Sequence, residues 1–309
     1  MKNIPMNKQF TFPIILDGGM GRELQRIGAP FQQPEWSAQA LIESPHFVSQ
    51  VHHRFIEAGA EVITTNTYAL VPFHIGQKRF DEQGAELIKL AAKLARECIT
   101  EDSNVLVAGC IPPVLGSYRP DLFSIEQAKP LLEPLIINQQ LYIDFWLAET
   151  ISSIDEAMLI KKRTATTEKE TWMAFTVKDE ISTNSLLRSG ESVYDAVSQI
   201  AGQNVTAILF NCSRLEVMES ALKNARQALT DKGLQEDVQL GVYANNFLPI
   251  GDLHEANDDS GISQIRNDVP PEKYCEFATS WLASGADIVG GCCGVSPAHI
   301  KKLAQLKKR

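Results

Sequence analysis

A short pattern that recurs along the chain limits its possible folds more than any other feature. Residues 57–66 and 283–292 both run from a helix end through a glycine and an acidic residue into a short apolar stretch that ends in a polar or thiol side chain. Residues 201–212 form a looser third copy. Glycine commonly ends a helix, and all-apolar strands that follow helices are typical of a parallel sheet covered on both faces. The pattern therefore predicts an α/β fold.

Eight apolar segments fit such strands, at 13–16, 62–65, 105–109, 145–148, 172–177, 207–210, 239–243 and 288–290. The stretches between them show helical periodicity; in 47–58, for example, apolar side chains recur every three or four positions. Eight strand–helix units predict a single TIM-type (β/α)8 barrel over residues 13–309, after an N-terminal tail of residues 1–12. A doubly wound open sheet is the alternative, because periodicity does not reveal whether a sheet closes.

Composition narrows the class of protein. Hydrophobic residues make up 44% and charged residues 22% of the chain, as in soluble globular proteins. A formal net charge of −9 argues against nucleic acid as a partner. The sequence has neither an apolar run of membrane-spanning length nor a signal peptide, so no membrane association is expected. The six scattered cysteines do not resemble a disulfide framework, which favours a reducing cytoplasm.

The strongest chemical signal is the run from Gly290 to Gly294, in which glycines frame the adjacent residues Cys292 and Cys293. Neighbouring thiols are poor disulfide partners, but both can face one soft metal ion where glycines let the backbone bend sharply. Cys212 follows a predicted strand and offers a third thiolate. Three sulfur ligands leave a fourth position vacant, which is the arrangement of a catalytic zinc site rather than a structural one.

A barrel brings these cysteines together, because active sites of such barrels lie at the C-terminal ends of the strands. We therefore expect Cys212, after the sixth strand, to meet Cys292 and Cys293, after the eighth, around Zn²⁺. The alternative is that buried cysteines act as small hydrophobic side chains. That interpretation is kept for Cys98 and Cys275, which lie in helical patterns. Other polar residues at predicted strand ends are Asp17, Thr65, Asn66, Cys110, Glu149, Thr176, Asn211 and Asn245.

These residues resemble the zinc-dependent homocysteine S-methyltransferases, which include betaine–homocysteine methyltransferase and the S-methylmethionine-dependent enzymes. The resemblance extends from about residue 15 to about residue 300. It rests on an ordered set of motifs: Leu16-Asp17-Gly18-Gly19-Met20-Gly21, Thr64-Thr65-Asn66-Thr67-Tyr68, Glu149-Thr150, Asn211-Cys212 and Gly290-Gly291-Cys292-Cys293-Gly294.

The resemblance implies a role for each matching residue. Zn²⁺ would be held by Cys212, Cys292 and Cys293, which makes these three the catalytic residues. The amino-acid part of homocysteine would be held by Asp17, Gly18, Thr65 and Glu149. For Asp17 a structural alternative is open, as the N-terminal cap of a predicted helix at 22–27.

The implied reaction moves a methyl group from a cationic donor to the thiolate of L-homocysteine and forms methionine. A free thiol has a pKa of about 8.5 and is only a few per cent ionised at neutral pH. Ionising it at that pH costs about 2 kcal/mol, and coordination to zinc removes this cost. Three thiolates and one Zn²⁺ sum to a charge of about −1, which favours a cationic donor. S-methylmethionine is the leading candidate and S-adenosylmethionine a possible substitute. Betaine ranks second, because the chain lacks the long C-terminal extension of the betaine enzymes, and folate ranks third.

Two departures from the family pattern leave the donor open, at 111–120 after the third strand and at Tyr243-Ala244-Asn245-Asn246 after the seventh. The aromatic residues Tyr68, Tyr118 and Phe145 are candidates to face the donor cation. The polar stretch 251–271 is either a lid over the site or a solvated insertion. A non-catalytic zinc- or thiol-binding protein is the alternative from a different functional class. The partners expected are therefore small molecules, and the oligomeric state stays open.

Overall fold

The computed structural model describes residues 11–100, 103–248 and 264–308. Within these ranges there are eight strands, and each overlaps one of the predicted apolar segments. They are β1 (Ile14–Ile15), β2 (Val62–Thr64), β3 (Leu106–Ile111), β4 (Phe145–Ile151), β5 (Thr171–Phe175), β6 (Val205–Asn211), β7 (Gln239–Tyr243) and β8 (Ile288–Val289).

Helices fill the connections between the strands, as the periodicity predicts. The predicted helix at 47–58 corresponds to α3. The α-helices in the described ranges are α1 (Met20–Arg26), α2 (Ser37–Glu43), α3 (His46–Glu57), α4 (Pro72–Ile75), α5 (Gln77–Glu97), α6 (Ile125–Gln139), α7 (Ile154–Thr164), α8 (Val193–Ile200), α9 (Met218–Lys232), α10 (Pro271–Ala283) and α11 (Pro297–Ala304). Among the residues that the structure describes, no helix combines the length and apolar character needed to cross a bilayer.

The eight strands form a barrel. Each strand pairs in parallel with its neighbours in the order β1-β8-β7-β6-β5-β4-β3-β2. The remaining seam, between β1 and β2, is spanned by one parallel bridge between Leu16 and Val62. Two backbone hydrogen bonds support it, from the Asp17 amide to the Val62 carbonyl at 3.0 Å and from the Glu61 amide to the Ile15 carbonyl at 2.7 Å. The barrel prediction is confirmed, and the open-sheet alternative is wrong.

Alternation along the strands divides the core into two layers. In β4 and β5, Phe145 and Trp172 point into the barrel, and their ring centroids lie 4.3 Å apart. Their chain neighbours Trp146 and Met173 point outward into the larger layer between the sheet and the helices. Because both faces of the sheet are covered, the strands read as continuous apolar runs in the sequence.

The acidic residue of the recurring pattern has a structural role. The Glu61 carboxylate, just before β2, accepts the amide of Ile15 on β1 at 3.0 Å. The Asp287 carboxylate, just before β8, accepts the amide of Leu240 on β7 at 3.0 Å. In each case a side chain ties the start of one strand to the preceding strand, at the N-terminal rim of the barrel. A buried amide left without such a partner is destabilising.

The segment 251–271, predicted as a lid or an insertion, is described only in part, since residues 249–263 lie outside the described residues. The backbone before and after this gap is paired: the Leu248 amide donates to the Gln264 carbonyl at 3.1 Å, and the Arg266 amide donates to the Asn246 carbonyl at 2.9 Å. The two ends of the segment are therefore held together on the β7 side of the cavity described below.

We expect Glu61→Ala to lower the free energy of unfolding by about 1–2 kcal/mol, because the Ile15 amide loses its acceptor at the barrel seam. Urea denaturation monitored by circular dichroism measures the change. Glu86→Ala, on the exposed face of α5, is the matched control and is expected to stay within about 0.5 kcal/mol of the unmodified protein. Equal stability of the two variants would contradict a role for Glu61 in closing the barrel.

Candidate active site

Three cysteine side chains meet at the C-terminal rim of the barrel. Cys212 directly follows β6, and Cys292 and Cys293 lie in the loop after β8. The three sulfur atoms all lie within 4.8 Å of one another, and the sulfurs of Cys292 and Cys293 are 4.0 Å apart. Cys212 and Cys292 are joined as a disulfide. Residues separated by 80 positions in the chain are thus brought into direct contact.

The donor set fits a zinc ion once the cysteines are reduced. Zinc–thiolate bonds of about 2.3 Å in a tetrahedral site place the sulfurs about 3.8 Å apart, close to the separation of the Cys292 and Cys293 sulfurs, 4.0 Å. Cys212 is nearly fully buried, whereas Cys292 and Cys293 are partly exposed toward the cavity. A ligand that enters the cavity therefore approaches the sulfurs from one open side.

Glycines give the double-cysteine loop its shape. A Cβ atom on Gly291 would lie 2.0 Å from a methyl carbon of Val295, so no larger residue fits there. Gly294 has a φ of +80°, a conformation that L side chains seldom adopt. The loop is also tied to the end of β7, because the Cys292 amide donates to the Ala244 carbonyl at 3.0 Å. The sequence Gly-Cys-Cys-Gly is therefore required by the backbone as well as by the sulfurs.

The residues predicted to bind substrate and metal line one cavity at the C-terminal ends of the strands. Its lining includes all seven of them: Asp17, Gly18, Thr65, Glu149, Cys212, Cys292 and Cys293. Within the described ranges, six residues other than glycine have positive φ angles, and four of these also line the cavity: Trp36, Tyr118, Thr150 and Cys212. Such conformations cost about 1–3 kcal/mol each and concentrate at functional sites, so the backbone supports the location of the site.

Asp17 is buried against the end of β2. Its carboxylate accepts the Thr64 amide at 2.8 Å and the Thr64 hydroxyl at 3.3 Å. Burial raises the pKa of Asp17 to about 8, and the nearby charge of Glu149 raises it further, against the lowering effect of the Thr64 amide. The residue that caps α1 is Gly19, and no side chain in the described ranges makes a cap hydrogen bond there. The alternative that Asp17 is a helix cap is therefore wrong.

Glu149 lies on β4 and is the second carboxyl group of the cavity. Burial raises its pKa to about 7, although the neighbouring Cys110 thiol and Tyr243 hydroxyl act in the opposite direction. Burial thus raises the pKa of both carboxyl groups. A positively charged ligand bound beside them would stabilise their ionised forms and lower both pKa values. The cavity therefore has a corner beside the three sulfurs in which both carboxyl groups can ionise when a cation binds.

Gly18 and Thr65 contribute in different ways. Within the described ranges no acceptor pairs with the Gly18 amide, and a Cβ atom at this position would lie 2.6 Å from the Val295 carbonyl oxygen. The Thr65 hydroxyl, by contrast, donates to Gln139 at 2.7 Å and accepts the Cys110 amide at 2.9 Å. Gly18 thus offers a backbone donor to the cavity, whereas the hydroxyl of Thr65 already holds two neighbouring elements in place.

Two of the three predicted aromatic residues line the cavity. Tyr68 and Tyr118 line the cavity. Phe145, by contrast, is not among the residues that line the cavity. It occupies an inward position of β4 and packs against Trp172 in the barrel interior. Phe247, which sequence reasoning missed, does line the cavity and follows β7. Its position after a predicted strand end was the available signal.

Two further residues were missed for a physical reason. Arg22 lines the cavity from α1, with its guanidinium 5.2 Å from the centre of the Phe247 ring. Gln139, at the end of α6, is fully buried and accepts the Thr65 hydroxyl. Neither belongs to a motif, and both reach the site from helices, so no pattern at the strand ends indicates them.

The fold and site define a parallel (β/α)8 barrel enzyme with a cysteine cluster at its C-terminal rim. A family model described as homocysteine S-methyltransferase matches residues 14–306. The chain belongs to this family of enzymes, which transfer a methyl group to homocysteine.

Individual relatives agree along nearly the whole chain. The homocysteine S-methyltransferase of Escherichia coli strain K12 is 29% identical over 94% of this chain and 94% of its own length. A selenocysteine methyltransferase of Astragalus bisulcatus is 26% identical over 94% of this chain and 91% of its own length. The crystal structure of the metallated form of the homocysteine methyltransferase MmuM from Escherichia coli superposes with a TM-score of 0.77 at 26% identity, covering 98% of this chain and 99% of that one. That structure shares the barrel and shows that a member of the family binds metal.

We expect Asp17→Asn to stabilise the reduced, ligand-free protein at high pH. The pKa of Asp17 is raised from an ordinary value of 3.8 to about 8, so the folded state retains a proton that the unfolded state has lost. Stability from this group therefore falls as pH rises through that window and is lowest above pH 8. The stabilisation by the amide should be near zero at pH 4 and should grow with pH to a clearly measurable value at pH 9, since each unit by which the folded-state pKa is raised corresponds to about 1.4 kcal/mol.

Urea unfolding at the two pH values measures this difference. Asp155→Asn, at an exposed position of α7, serves as the control and should show no comparable change between pH 4 and pH 9. A stability difference for Asp17→Asn that shrinks with rising pH would show that this carboxyl group is not held protonated in the folded state.

Proposed function

We propose that this protein binds Zn²⁺ through Cys212, Cys292 and Cys293 and transfers a methyl group from a sulfonium donor to the thiolate of L-homocysteine, forming methionine. The observation that carries the proposal is the convergence of three sulfurs, all within 4.8 Å of one another, in the cavity that also contains Asp17 and Glu149. When bound, zinc supplies a Lewis acid that replaces the proton of a substrate thiol and leaves the sulfur nucleophilic at neutral pH.

The two carboxyl groups and Gly18 suit the amino-acid part of homocysteine. An ammonium group placed between Asp17 and Glu149 compensates their charge and lowers the pKa of both, so that both ionise in the complex. The Gly18 amide, which has no acceptor within the described ranges, is the proposed donor to the substrate carboxylate. Thr65 holds this arrangement by fixing the ends of β2 and β3 to each other through its hydroxyl. The substrate sulfur is then directed toward the cysteine cluster.

The methyl donor is assigned by charge. With zinc bound, the three thiolates carry a net charge of about −1, and a substrate thiolate would add to it, so the loaded site would attract a cation and repel an anion. Tyr68 and Trp36 provide aromatic surfaces in the same cavity, and such faces stabilise cations. Phe247 already has the Arg22 guanidinium 5.2 Å from its ring centre, so one face of that ring is occupied. Tyr118 already has the Arg188 guanidinium 5.5 Å from its ring centre, so one face of that ring is occupied. S-methylmethionine fits these requirements, S-adenosylmethionine is a substitute of the same charge, and betaine is the quaternary ammonium alternative.

We also propose that residues 13–309 act as one domain after a tail of residues 1–12, in a reducing cytoplasm. The three cysteines must be reduced to bind zinc, and reducing compartments keep thiols in that state. The disulfide between Cys212 and Cys292 would block the metal site. Small-molecule substrates are the proposed partners.

We expect Cys293→Ser to reduce the zinc content of the reduced protein from about one ion per chain to less than about a tenth, because two thiolates bind zinc far more weakly than three. Inductively coupled plasma mass spectrometry after dialysis against a weak chelator provides the measurement. Cys275→Ser is the matched control, since the Cys275 sulfur lies 3.8 Å from the Lys302 carbonyl and outside the cavity. Undiminished zinc in Cys293→Ser would place the metal elsewhere.

Incubation of the zinc-loaded protein with homocysteine and one donor at a time tests the reaction. Methyl transfer from S-methylmethionine breaks one sulfur–carbon bond and leaves the electron pair on the donor sulfur, so two molecules of methionine form per transfer. S-adenosylmethionine or betaine gives one methionine and a different co-product. We expect the fastest turnover, with two methionines per donor consumed, from S-methylmethionine.

The outcomes separate the candidate functions. Fastest turnover with betaine would reassign the donor and leave the acceptor unchanged. Zinc binding without methionine from any donor would instead indicate the non-catalytic zinc- or thiol-binding protein. Cys293→Ser is the negative control and should be at least about 100-fold slower than the unmodified protein with every donor.

A further inference from the structure

The side chain of Asn211 connects two parts of the cavity that belong to different strands. Asn211 is the last residue of β6 and is buried. Its Oδ1 accepts the Thr150 amide at 2.9 Å, and its Nδ2 donates to the Thr150 hydroxyl at 3.0 Å. Because a backbone N–H only donates, the orientation of the Asn211 amide is determined by this pair of bonds. The side chain reaches past β5 to β4, 61 positions away in the chain.

Thr150 lies at a break in the strand ladder. β4 pairs with β5 through Ala148 and Met173, and the pairing resumes at Ile151 and Phe175. Two residues of β4, Glu149 and Thr150, therefore lie opposite one residue of β5, which is the definition of a β-bulge. Thr150 has a φ of +60°. The bulge frees its amide from the ladder, and Asn211 is the acceptor that replaces the lost partner.

On the other side, Asn211 directly precedes the cysteine of the cluster. Cys212 has a φ of +48°. The residue that follows, Ser213, is anchored to the end of β5: its hydroxyl accepts the Val177 amide at 2.9 Å and donates to the Val177 carbonyl at 3.0 Å. The backbone is thus held on both sides of Cys212, by Asn211 to β4 and by Ser213 to the segment after β5.

We propose that Asn211 is a positioning residue that locks the Glu149–Thr150 bulge and thereby holds the Glu149 carboxylate toward the cysteine cluster. The same side chain fixes the distance between the carboxylate that binds the substrate ammonium and the cysteine that binds the metal. The inference rests on the proposed function for the identity of the ligand, homocysteine. The two hydrogen bonds between Asn211 and Thr150, called the clamp below, are independent of that ligand and rest on the contacts and the bulge alone.

Loss of the clamp has a defined consequence. Without its acceptor, the buried Thr150 amide favours a regular strand, and regularising β4 moves Glu149 out of its present position because successive side chains point to opposite faces. We expect Asn211→Ala to raise the KM for homocysteine and its dissociation constant roughly tenfold. The kcat at saturating homocysteine should change less than about threefold, since the three cysteines are retained.

Four comparison variants separate positioning from a general loss of stability. Asn211→Asp keeps an acceptor for the Thr150 amide and should recover most of the affinity. Thr150→Val removes only the hydrogen bond between the Asn211 amide and the Thr150 hydroxyl and should raise the KM about threefold. This variant replaces Asn211→Ala as the test if Asn211→Ala does not fold. In a Glu149→Gln background, Asn211→Ala should raise the KM for homocysteine by less than a further twofold, because its effect is exerted through Glu149. Asn204→Ala is the matched control.

Asn204 makes a similar set of bonds at the opposite end of the same strand. It donates to the Lys161 carbonyl at 3.2 Å and to the Thr164 hydroxyl at 3.1 Å. Its replacement by alanine should lower the melting temperature and leave KM within about twofold of the unmodified value. A merely structural role of Asn211 would make the two alanine variants behave alike.

Hydrogen exchange of the Thr150 amide, measured without ligand, tests the clamp independently of activity. Its protection should fall at least tenfold in Asn211→Ala and persist in Asn204→Ala. Unchanged protection, an unchanged KM in folded Asn211→Ala or Thr150→Val, or full additivity with Glu149→Gln would each overturn the inference. If the unmodified zinc-loaded protein neither binds nor methylates homocysteine, the proposed function fails, and the exchange measurement alone then decides the clamp.

Discussion

Two buried carboxyl groups share one cavity with the cysteine cluster, and the free-energy cost of ionising them away from water is the constraint on which the rest of the site depends. Burial is the largest cause of the raised pKa values of Asp17 and Glu149, and the charge of Glu149 raises the pKa of Asp17 further. Buried anions are stable only when cations or hydrogen-bond donors compensate them. The proposed reaction supplies three such cations: a metal ion, an ammonium group and a sulfonium donor. The specificity of the cavity follows from this shared requirement.

Holding like charges close together requires a rigid frame, and the barrel supplies it at its C-terminal rim. Trp36, Tyr118, Thr150 and Cys212 adopt left-handed backbone conformations around the cavity. Buried hydrogen bonds hold two of them. The Asn211 side chain accepts the Thr150 amide, and Ser213, which follows Cys212, accepts the Val177 amide. The opposite rim, where Glu61 and Asp287 tie successive strands together, carries regular structure. Stability and function are thus separated between the two ends of the barrel.

Much of the site was accessible from the sequence because its residues follow strands. Asp17, Thr65, Glu149, Cys212 and the Cys292-Cys293 pair all lie at or just after the end of an apolar run, and parallel strands in a barrel bring such positions to one rim. Arg22 and Gln139 were not predictable in this way, because both lie on helices; Arg22 lines the cavity, and Gln139 is buried behind it and accepts the Thr65 hydroxyl. The cation-facing role considered for Phe145 did not agree with the structure, since strand alternation turns this side chain into the barrel interior.

The eight strands, the helices between them and the polar residues at the strand ends all follow from the amino-acid order, because they depend on local periodicity and on position along the chain. Closure of the sheet is visible only in the folded molecule, through one bridge between Leu16 and Val62. The same holds for the binding of Asp17 to Thr64 instead of a cap on α1, and for the hydrogen bonds of Asn211 at the bulge beside Glu149. Each of these features is a contact between residues far apart in the chain, and such contacts depend on the folded geometry of several strands together.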